Sequence, residues 1–292
     1  MTQDVRIACC QVEPEVESPA ASAERAHTAL AEAIDQGAQI VVLPELCNSG
    51  YLFRDEAEVR AAATPTSGPL LQSWAQEASR ADAVVVGGFC ELADDGRIFN
   101  SSALINSGGV LAVYRKLHLW DQEQRWFAPG EQPAPVVPTR YGRIGLGICY
   151  DIEFPELTRG LALRGADVIA LPTNWPLEQR DPPMLRSLAV TTAYLNRVFV
   201  AVCDRAGSER GLRFQGGSVI AAPDGSAPRT VSTGAGIAGP SQTVIADCDL
   251  ELARDKHHAP NNDVFADRRP EYYERPSPAC TVSDPAGPKP RA

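Results

Sequence analysis

Histidine is scarce in this chain, and the motifs of several enzyme classes are missing. Four histidines occur, and none belongs to a His-Glu-x-x-His pattern or lies near a cysteine pair, which argues against a zinc site. There is no Gly-x-Ser-x-Gly elbow, no Gly-x-x-x-x-Gly-Lys loop and no Gly-x-Gly-x-x-Gly turn opening a helix. Serine-hydrolase, nucleotide-binding and zinc-dependent functions are therefore unsupported.

Long apolar runs and an excess of positive charge are also missing. The apolar run near the N-terminus, Ile7–Cys10, is far too short for a signal-peptide core or a membrane span, so we expect a cytoplasmic protein. The formal net charge is −10, and a field of that sign repels phosphate backbones and anionic membrane surfaces. We therefore expect neither a nucleic acid nor a membrane as partner.

The eight cysteines are neither dense nor paired. They lack the spacing of a zinc ribbon and the density of a disulfide scaffold. In a reducing compartment most of them are expected to be small, buried apolar residues. A functional role for any one of them therefore needs separate evidence from its neighbours in the sequence.

The residues that are present predict a folded α/β protein. Hydrophobic residues make up 44% of the 292 and charged residues 22%, as in ordinary globular proteins, and this length fits one large domain or two small ones. Runs rich in Val and Ile alternate with stretches of helical spacing, which favours a layered α/β body with buried strands. The predicted strands are Val5–Val12, Gln39–Pro44, Ala83–Cys90, Ser102–Ile105, Val110–Arg115, Arg143–Tyr150, Asp167–Pro172, Val198–Cys203, Gly217–Ala222 and Thr243–Cys248, and the predicted helices are Ala20–Gln36, Leu70–Arg80, Pro155–Arg164 and Leu185–Asn196.

Two short segments suggest that the chain contains two similar sheet units. Ile40–Glu45 reads I-V-V-L-P-E and Val168–Thr173 reads V-I-A-L-P-T, each after a Gly-Ala lead-in. From about Pro260 the sequence becomes polar, proline-rich and basic. We therefore predict a main domain over residues 1–270 and a tail over residues 271–292, partly disordered or packed on a partner subunit.

Three of the predicted strands lead directly to a reactive side chain. The run after Ile40 reaches Glu45, the strand Val110–Arg115 is followed by Lys116, and the run after Arg143 reaches Cys149. Ligands of α/β proteins bind outside the carboxyl ends of strands. We therefore expect these three side chains to converge in one crevice.

The surroundings of Cys149 favour a reactive thiol. A helix is predicted from Pro155, so backbone N–H groups and a helix N-terminus lie near the sulfur, where they favour the thiolate and a developing oxyanion. Glu45 follows apolar residues and a proline, where desolvation suits a general base. Glu123 lies in a predicted loop with bulky aromatic residues.

Each of these residues also has a plainer interpretation. Cys149 fits a buried strand cysteine, Glu45 a helix cap or an ion pair, and Lys116 a solvated lysine at a strand end. His118, two residues beyond Lys116, is an alternative base for the cysteine, and spacing alone does not exclude it.

Each of the four candidate residues lies in a longer motif. The four motifs are Leu43-Pro44-Glu45 with Gly50-Tyr51, Tyr114-Arg115-Lys116-Leu117-His118-Leu119, Glu123-x-x-x-Phe127-x-Pro129-Gly130, and Gly147-Ile148-Cys149-Tyr150-Asp151 with Phe154-Pro155-Glu156. They span about a third of the chain and resemble the motifs of the nitrilase superfamily of carbon–nitrogen hydrolases, in the same order, which makes the match specific.

The resemblance implies a four-layer α-β-β-α sandwich that pairs into a homodimer with an eight-layer core, or a higher homo-oligomer. It implies Glu45 as general base, Cys149 as nucleophile and Lys116 as stabiliser of the tetrahedral intermediate. Glu123 would position the substrate and the lysine, and His118 would not act as the base. No metal and no organic cofactor are expected, and the tail is expected to reach across the partner.

The residues after Cys149 indicate the substrate class. True nitrilases resemble Cys-Trp-Glu at this point, whereas Cys149-Tyr150-Asp151 resembles the amidase and carbamoylase branches. Relatives that bind a substrate carboxylate carry an arginine pair where this chain has Ile152 and Glu153, and Glu153 would repel such a substrate. We expect a small aliphatic amide, neutral or amino-bearing; an N-carbamoyl amine and, less favoured, a nitrile are the alternatives. The candidate pocket residues, which core packing also explains, are Tyr51, Trp120, Tyr150, Asn174 and Trp175.

Overall fold

The computed structural model describes residues 4–177, 184–231 and 239–273. The chain divides into two compact units, Met1–Lys256 and His257–Ala292. All of the predicted site residues belong to the first unit.

The described part of the first unit alternates strands and helices along the chain. Its strands are β1 (Val5–Gln11), β2 (Ile40–Val42), β3 (Val84–Leu92), β4 (Ile98–Asn106), β5 (Gly109–Arg115), β6 (Val136–Thr139), β7 (Gly142–Leu146), β8 (Val168–Thr173), β9 (Phe199–Asp204), β10 (Ser208–Glu209), β11 (Leu212–Arg213), β12 (Val219–Ala221), β13 (Arg229–Thr230) and β14 (Gln242–Cys248). Its helices are α1 (Pro19–Asp35), α2 (Glu56–Ala62), α3 (Pro69–Ala81), α4 (Pro155–Leu163), α5 (Met184–Asn196) and α6 (Glu251–Arg254), with 3-10 turns at Asp121–Arg125 and Cys149–Glu153.

Three of the helices begin with proline at the first helical turn, where its missing N–H is not needed and its φ is already helical. The apolar residues then recur every three or four positions. In α3 this places Leu71, Trp74 and Ala78 on one buried face. The Trp74 ring packs on β3 because Gly87 has no side chain: a Cβ there would lie 2.4 Å from the ring.

Two six-stranded sheets repeat one pattern of strand directions. The first has the order β14-β1-β2-β3-β4-β5, and the second, taken in the matching direction, β6-β7-β8-β9-β12-β13. In each sheet the second, third and fourth strands are parallel and the other neighbours are antiparallel. The repeated segments Ile40–Glu45 and Val168–Thr173 begin the equivalent strands β2 and β8, which explains their similarity.

The sheets pack face to face, with β1 against β9 and β3 against β8. Helices α1 and α3 cover the outer face of the first sheet, and α4 and α5 cover that of the second. The result is the predicted four-layer α-β-β-α sandwich, and that prediction is confirmed. The central strands of each sheet are buried on both faces, which is why they read as continuous apolar runs.

Several local predictions need correction. The strand expected over Arg143–Tyr150 ends at Leu146, and Cys149 begins a 3-10 turn instead. The predicted loop around Glu123 is also a 3-10 turn, and β4 is longer than Ser102–Ile105. Helix α2 and strand β6 had no sequence prediction, because both are short and β6 contains a proline.

The described part of the second unit is small. It contains an antiparallel pair, β15 (His257–Ala259) and β16 (Asn262–Asp263), and the short helix α7 (Pro270–Tyr273). Residues 274–292, most of the predicted tail, lie outside the described residues. None of the helices in the described ranges is long and apolar enough to cross a membrane.

Candidate active site

Glu45 lies just beyond β2 and is completely buried. Its backbone runs directly over β3: the Gly88 N–H donates to the Pro44 carbonyl at 3.2 Å, and a Cβ on Gly88 would lie 2.5 Å from the Glu45 Cα. Its Oε1 accepts bonds from the Lys116 Nζ at 2.7 Å and the Asn100 Nδ2 at 2.6 Å. Within the described residues its Oε2 has no partner. One oxygen is therefore fixed and the other remains available.

Lys116 follows β5 and joins the two carboxylates. Its ammonium group lies 2.7 Å from Glu45 and 2.8 Å from Glu123, and the lysine is 1% exposed. Burial by itself lowers the pKa of Lys116, but the adjacent Glu123 and Glu45 outweigh that effect and hold the pKa well above its usual value. The ammonium form of Lys116 is therefore favoured around neutral pH.

The 3-10 turn Asp121–Arg125 buries Glu123 in this cluster. Its Oε1 accepts a bond from the Tyr51 hydroxyl at 2.7 Å as well as the bond from Lys116. Burial raises the pKa of Glu123, and Lys116 opposes the shift. Burial and the neighbouring Glu123 raise the pKa of Tyr51 well above its usual value, so the phenol remains a hydrogen-bond donor.

Cys149 is held in a strained conformation at the start of its 3-10 turn. Its φ is +48°, in the left-handed region that residues with a side chain rarely adopt. Asp151 secures the turn, because its Oδ2 accepts the Ile148 N–H at 2.9 Å and the Tyr114 hydroxyl at 2.8 Å. The bent backbone places the thiol beside the carboxylates and the ammonium group.

The surroundings of the Cys149 thiol favour its protonated form. Burial and the Glu45 carboxylate raise its pKa well above the usual value, and Lys116 and a backbone bond from Asn174 offset only part of the shift. Attack by this sulfur therefore requires a base that takes its proton during the reaction. Glu45 is the carboxylate with an oxygen available.

His118 is engaged elsewhere. Its Nδ1 lies 2.7 Å from the Asp151 Oδ1, and its ring stacks on Phe154 with centroids 3.5 Å apart. The alternative assignment of His118 as the base for the cysteine therefore has no support in the geometry.

A cavity of about 340 Å³ opens over the Cys149 thiol. The structure places all five of the proposed pocket residues on its wall: Tyr51, Trp120, Tyr150, Asn174 and Trp175. Glu153 also lines it, whereas its neighbour Ile152 is buried and absent from the lining. Trp120 is the most exposed of the five, at 42%, and meets the Tyr150 ring edge to face at 4.8 Å.

Two buried carboxylates that sequence reasoning missed hold this wall in place. Asp204 accepts the Trp175 N–H at 2.9 Å and the Gly217 N–H at 3.0 Å. Glu209 accepts the Tyr51 N–H at 2.8 Å and pairs with Arg205 at 2.8 Å. These contacts join positions more than a hundred residues apart as well as near neighbours, and no spacing in the sequence indicates them.

Asn100 is a third residue that the sequence analysis missed. It lies in β4 and is completely buried, and its Nδ2 donates to Glu45. The signal was present, because Asn100-Ser101-Ser102 is a polar run inside an otherwise apolar strand. Polar residues in a buried strand indicate hydrogen-bond partners within the core.

This arrangement could serve a cysteine-dependent hydrolase, because it provides a buried carboxylate suited to proton transfer, a fixed cation suited to an oxyanion, and a thiol on the cavity wall. The profile of the carbon-nitrogen hydrolase family matches residues 6–257. The chain belongs to the carbon–nitrogen hydrolase family, and it is a hydrolase acting on carbon–nitrogen bonds. The predicted resemblance is confirmed at the level of the family.

Relatives of this chain include both nitrilases and amidases. A nitrilase of Pyrococcus abyssi is 36% identical over 93% of this chain and 100% of its own length. An (R)-stereoselective amidase of a Pseudomonas species is 38% identical over 64% of this chain and 66% of its own. The crystal structure of an amidase from a Nesterenkonia species superposes with a TM-score of 0.75 at 28% identity, covering 93% of this chain and 95% of that one. A further structure, of a mutant of the amidase from Nesterenkonia sp. AN1, shows the acetamide moiety of fluoroacetamide bound covalently to the active-site cysteine of that protein.

Proposed function

We propose that this chain is an amidase that hydrolyses a small aliphatic amide, neutral or amino-bearing, to a carboxylic acid and ammonia. The observation that carries the proposal is the convergence of Glu45, Lys116 and Glu123 on the Cys149 thiol beneath one cavity. The reaction proceeds through a thioester on Cys149, and it requires neither a metal nor a cofactor.

In the first step the Oε2 of Glu45 takes the thiol proton while the sulfur attacks the amide carbon. The carbonyl oxygen becomes an oxyanion, which Lys116 and the Tyr150 backbone N–H stabilise. Removing one donor of this kind typically costs about 3–4 kcal/mol of transition-state stabilisation. Because Lys116 already lies between two carboxylates, it is in place before the substrate arrives.

In the second step the tetrahedral intermediate collapses. The carbon–nitrogen bond breaks, Glu45 returns its proton to the leaving nitrogen, and ammonia departs from the thioester. Glu45 then takes a proton from water, whose oxygen attacks the thioester carbon, and the carboxylic acid leaves as the thiol is restored.

The pocket supports a small, uncharged or amino-bearing acyl group. A cavity of about 340 Å³ with aromatic walls suits a short chain. Glu153 on the wall disfavours a substrate carboxylate through like-charge repulsion. The amidase relatives also favour an amide as the substrate, and the nitrilase relative makes a nitrile the alternative to test.

The proposal includes the cytoplasm as location and a homodimer, or a higher homo-oligomer, as the working form. The cysteines in the described ranges are free thiols, which fits a reducing compartment. Helices α4 and α5 expose three large apolar side chains on the outside of the second sheet: Leu163, Tyr194 and Leu195. Such side chains suit the helix-to-helix pairing that the resemblance implies.

The test is ammonia release from propionamide, an amino-acid amide, an N-carbamoyl amine and propionitrile. We expect turnover of one of the two amides, and Cys149→Ala should lower it by at least about a thousandfold while the protein stays folded. Cys248→Ala, a buried cysteine on β14, is the matched control and should retain activity.

Four results would contradict the proposal. Turnover by folded Cys149→Ala would remove the nucleophile assignment. Preferred hydrolysis of the nitrile, or release of carbon dioxide with ammonia from the N-carbamoyl amine, would replace the substrate class. Loss of activity to a chelator, restored by zinc, would establish a metal-dependent mechanism.

A further inference from the structure

Asn100 touches three members of the proposed catalytic group. Its backbone carbonyl accepts the Lys116 N–H at 2.9 Å, so it anchors the lysine where β5 ends. Its Nδ2 donates to the Glu45 Oε1 at 2.6 Å and reaches the Glu123 Oε2 at 3.5 Å. The side chain is completely buried, and in the described structure its Oδ1 accepts no hydrogen bond.

Charge fixes the orientation of this amide. Turning the side chain over would set the partly negative Oδ1 against the Glu45 carboxylate, whereas Nδ2 donates to it. Since Lys116 and Asn100 both donate to the same oxygen of Glu45, two hydrogen bonds fix that oxygen and the carboxylate cannot rotate freely. The other oxygen, Oε2, is thereby presented as the one that receives a proton.

We propose that Asn100 is a positioning residue of the reaction, which holds Glu45 so that Oε2 acts as the base toward the thiol. The inference rests on the proposed function, because Glu45 is the base there. Asn100 does not touch the substrate in this role: it acts through Glu45 and, through its carbonyl, through Lys116.

Two variants separate this role from a structural one. Asn100→Leu removes the donor at similar volume. Asn100→Asp keeps the shape, and its carboxyl faces Glu45, Lys116 and Glu123, with Tyr51 and Cys149 beside them. A buried acid near two other carboxylates holds its proton to higher pH, and while protonated it can donate to Glu45.

The main measurement is kcat/KM between pH 6 and pH 9, relative to the unmodified enzyme at each pH. Asn100→Leu should lose about 10- to 100-fold at every pH, mainly in kcat, because a hydrogen bond to a charged group is missing. Asn100→Asp should be more active toward acid, and its relative kcat/KM should fall about tenfold as the introduced carboxyl ionises and loses its donor.

Asn48 provides the matched control. It is also buried beside β3, but its side chain bonds backbone groups: its Nδ2 donates to the Ala62 carbonyl at 3.0 Å, and its Oδ1 accepts the Cys90 N–H at 3.0 Å. Asn48→Leu and Asn48→Asp should lower stability while the kcat/KM of the folded protein stays within about twofold of the unmodified value.

A measurement that does not require amide turnover keeps the two proposals distinct. Chloroacetamide alkylation of Cys149, followed by mass spectrometry, should slow about tenfold in Asn100→Leu and remain unchanged in Asn48→Leu. If the unmodified enzyme releases no ammonia from any amide, the proposed function fails, and the alkylation rates still test Asn100. If Asn100→Leu keeps its alkylation rate, or the relative activity of Asn100→Asp does not vary with pH, the positioning role is wrong.

Discussion

At the scale of the residue, the site contains charged side chains buried in an interior of low dielectric constant. Two carboxylates share one ammonium group, and all three are almost completely excluded from water. Burial of such groups is tolerated only when each is paired and hydrogen-bonded, which Tyr51 and Asn100 help to achieve. Removing Lys116 therefore leaves two buried carboxylates without a cation, and its effect reaches beyond a single hydrogen bond.

The ionisation of Asp204 should make the stability of the folded protein depend on pH. Although three backbone N–H groups bind its carboxylate, burial raises its pKa from 3.8 to about 7. The folded state therefore binds a proton that the unfolded chain has released between these pH values. The stability that this group contributes is complete below pH 4 and is lost as the pH rises through 7.

Asp204→Asn removes this titration. The variant should be less stable than the unmodified protein at pH 5, because an acceptor is lost, and the deficit should shrink by on the order of 2 kcal/mol at pH 8. Urea unfolding at the two pH values measures both differences. Asp94→Asn, at an exposed position, is the control. An equal deficit at pH 5 and pH 8 would contradict the raised pKa of Asp204.

At the scale of the element, the site depends on how closely two neighbouring segments approach. The segment that carries Glu45 crosses directly over Gly88 in β3, where backbone atoms occupy the space of a side chain. An added methyl group must push the two segments apart, and the shift would pass directly to the proposed base.

Gly88→Ala should therefore lower kcat/KM by at least about tenfold and destabilise the fold by about 1–3 kcal/mol. Gly160→Ala in α4 is the control, because its added Cβ would meet only the end of the Arg164 side chain, at 3.3 Å. That variant should be neutral or more stable by up to about 1 kcal/mol. Thermal unfolding and the amide assay measure both, and full activity of Gly88→Ala would contradict the tight approach.

The sequence predicted the elements that carry the site better than the contacts that complete it. Buried strands such as β2 and β8 are continuous apolar runs, and the reactive residues follow them, so the positions of Glu45 and Lys116 were accessible to pattern reasoning. The turn at Cys149 could not be predicted in this way. Its left-handed backbone is secured by a hydrogen bond to the Asp151 side chain, and hydrophobic periodicity does not reveal such a bond.

Contacts between distant segments were equally inaccessible. The bond from Tyr51 to Glu123 joins residues 72 positions apart, and Asp204 supports Trp175 from another strand. The four-layer arrangement followed from the resemblance, since strand patterns alone do not state which sheets face each other. The motifs predicted the packing of the sheets because they indicate membership of a family whose members share one fold.

At the scale of the whole molecule, the proposed dimer has a direct test. Leu195, 49% exposed on α5, lies on the outer helical layer with Leu163 and Tyr194. Leu195→Glu would place a charge in an apolar interface, so sedimentation velocity should show a shift from dimer to monomer. Leu252→Glu on α6, 48% exposed, is the matched control and should leave the dimer intact. A monomeric unmodified protein, or no effect of Leu195→Glu, would contradict pairing through these helices.

The two similar sheets also divide the proposed chemistry between the two halves of the chain. Glu45, Lys116 and Glu123 come from the first half, whereas Cys149 comes from the second, and the edge strand β14 of the first sheet is made after all of them. On the ribosome, the N-terminal half emerges first. The three charged residues therefore leave the ribosome before Cys149, and the first sheet can be completed only after β14 has emerged.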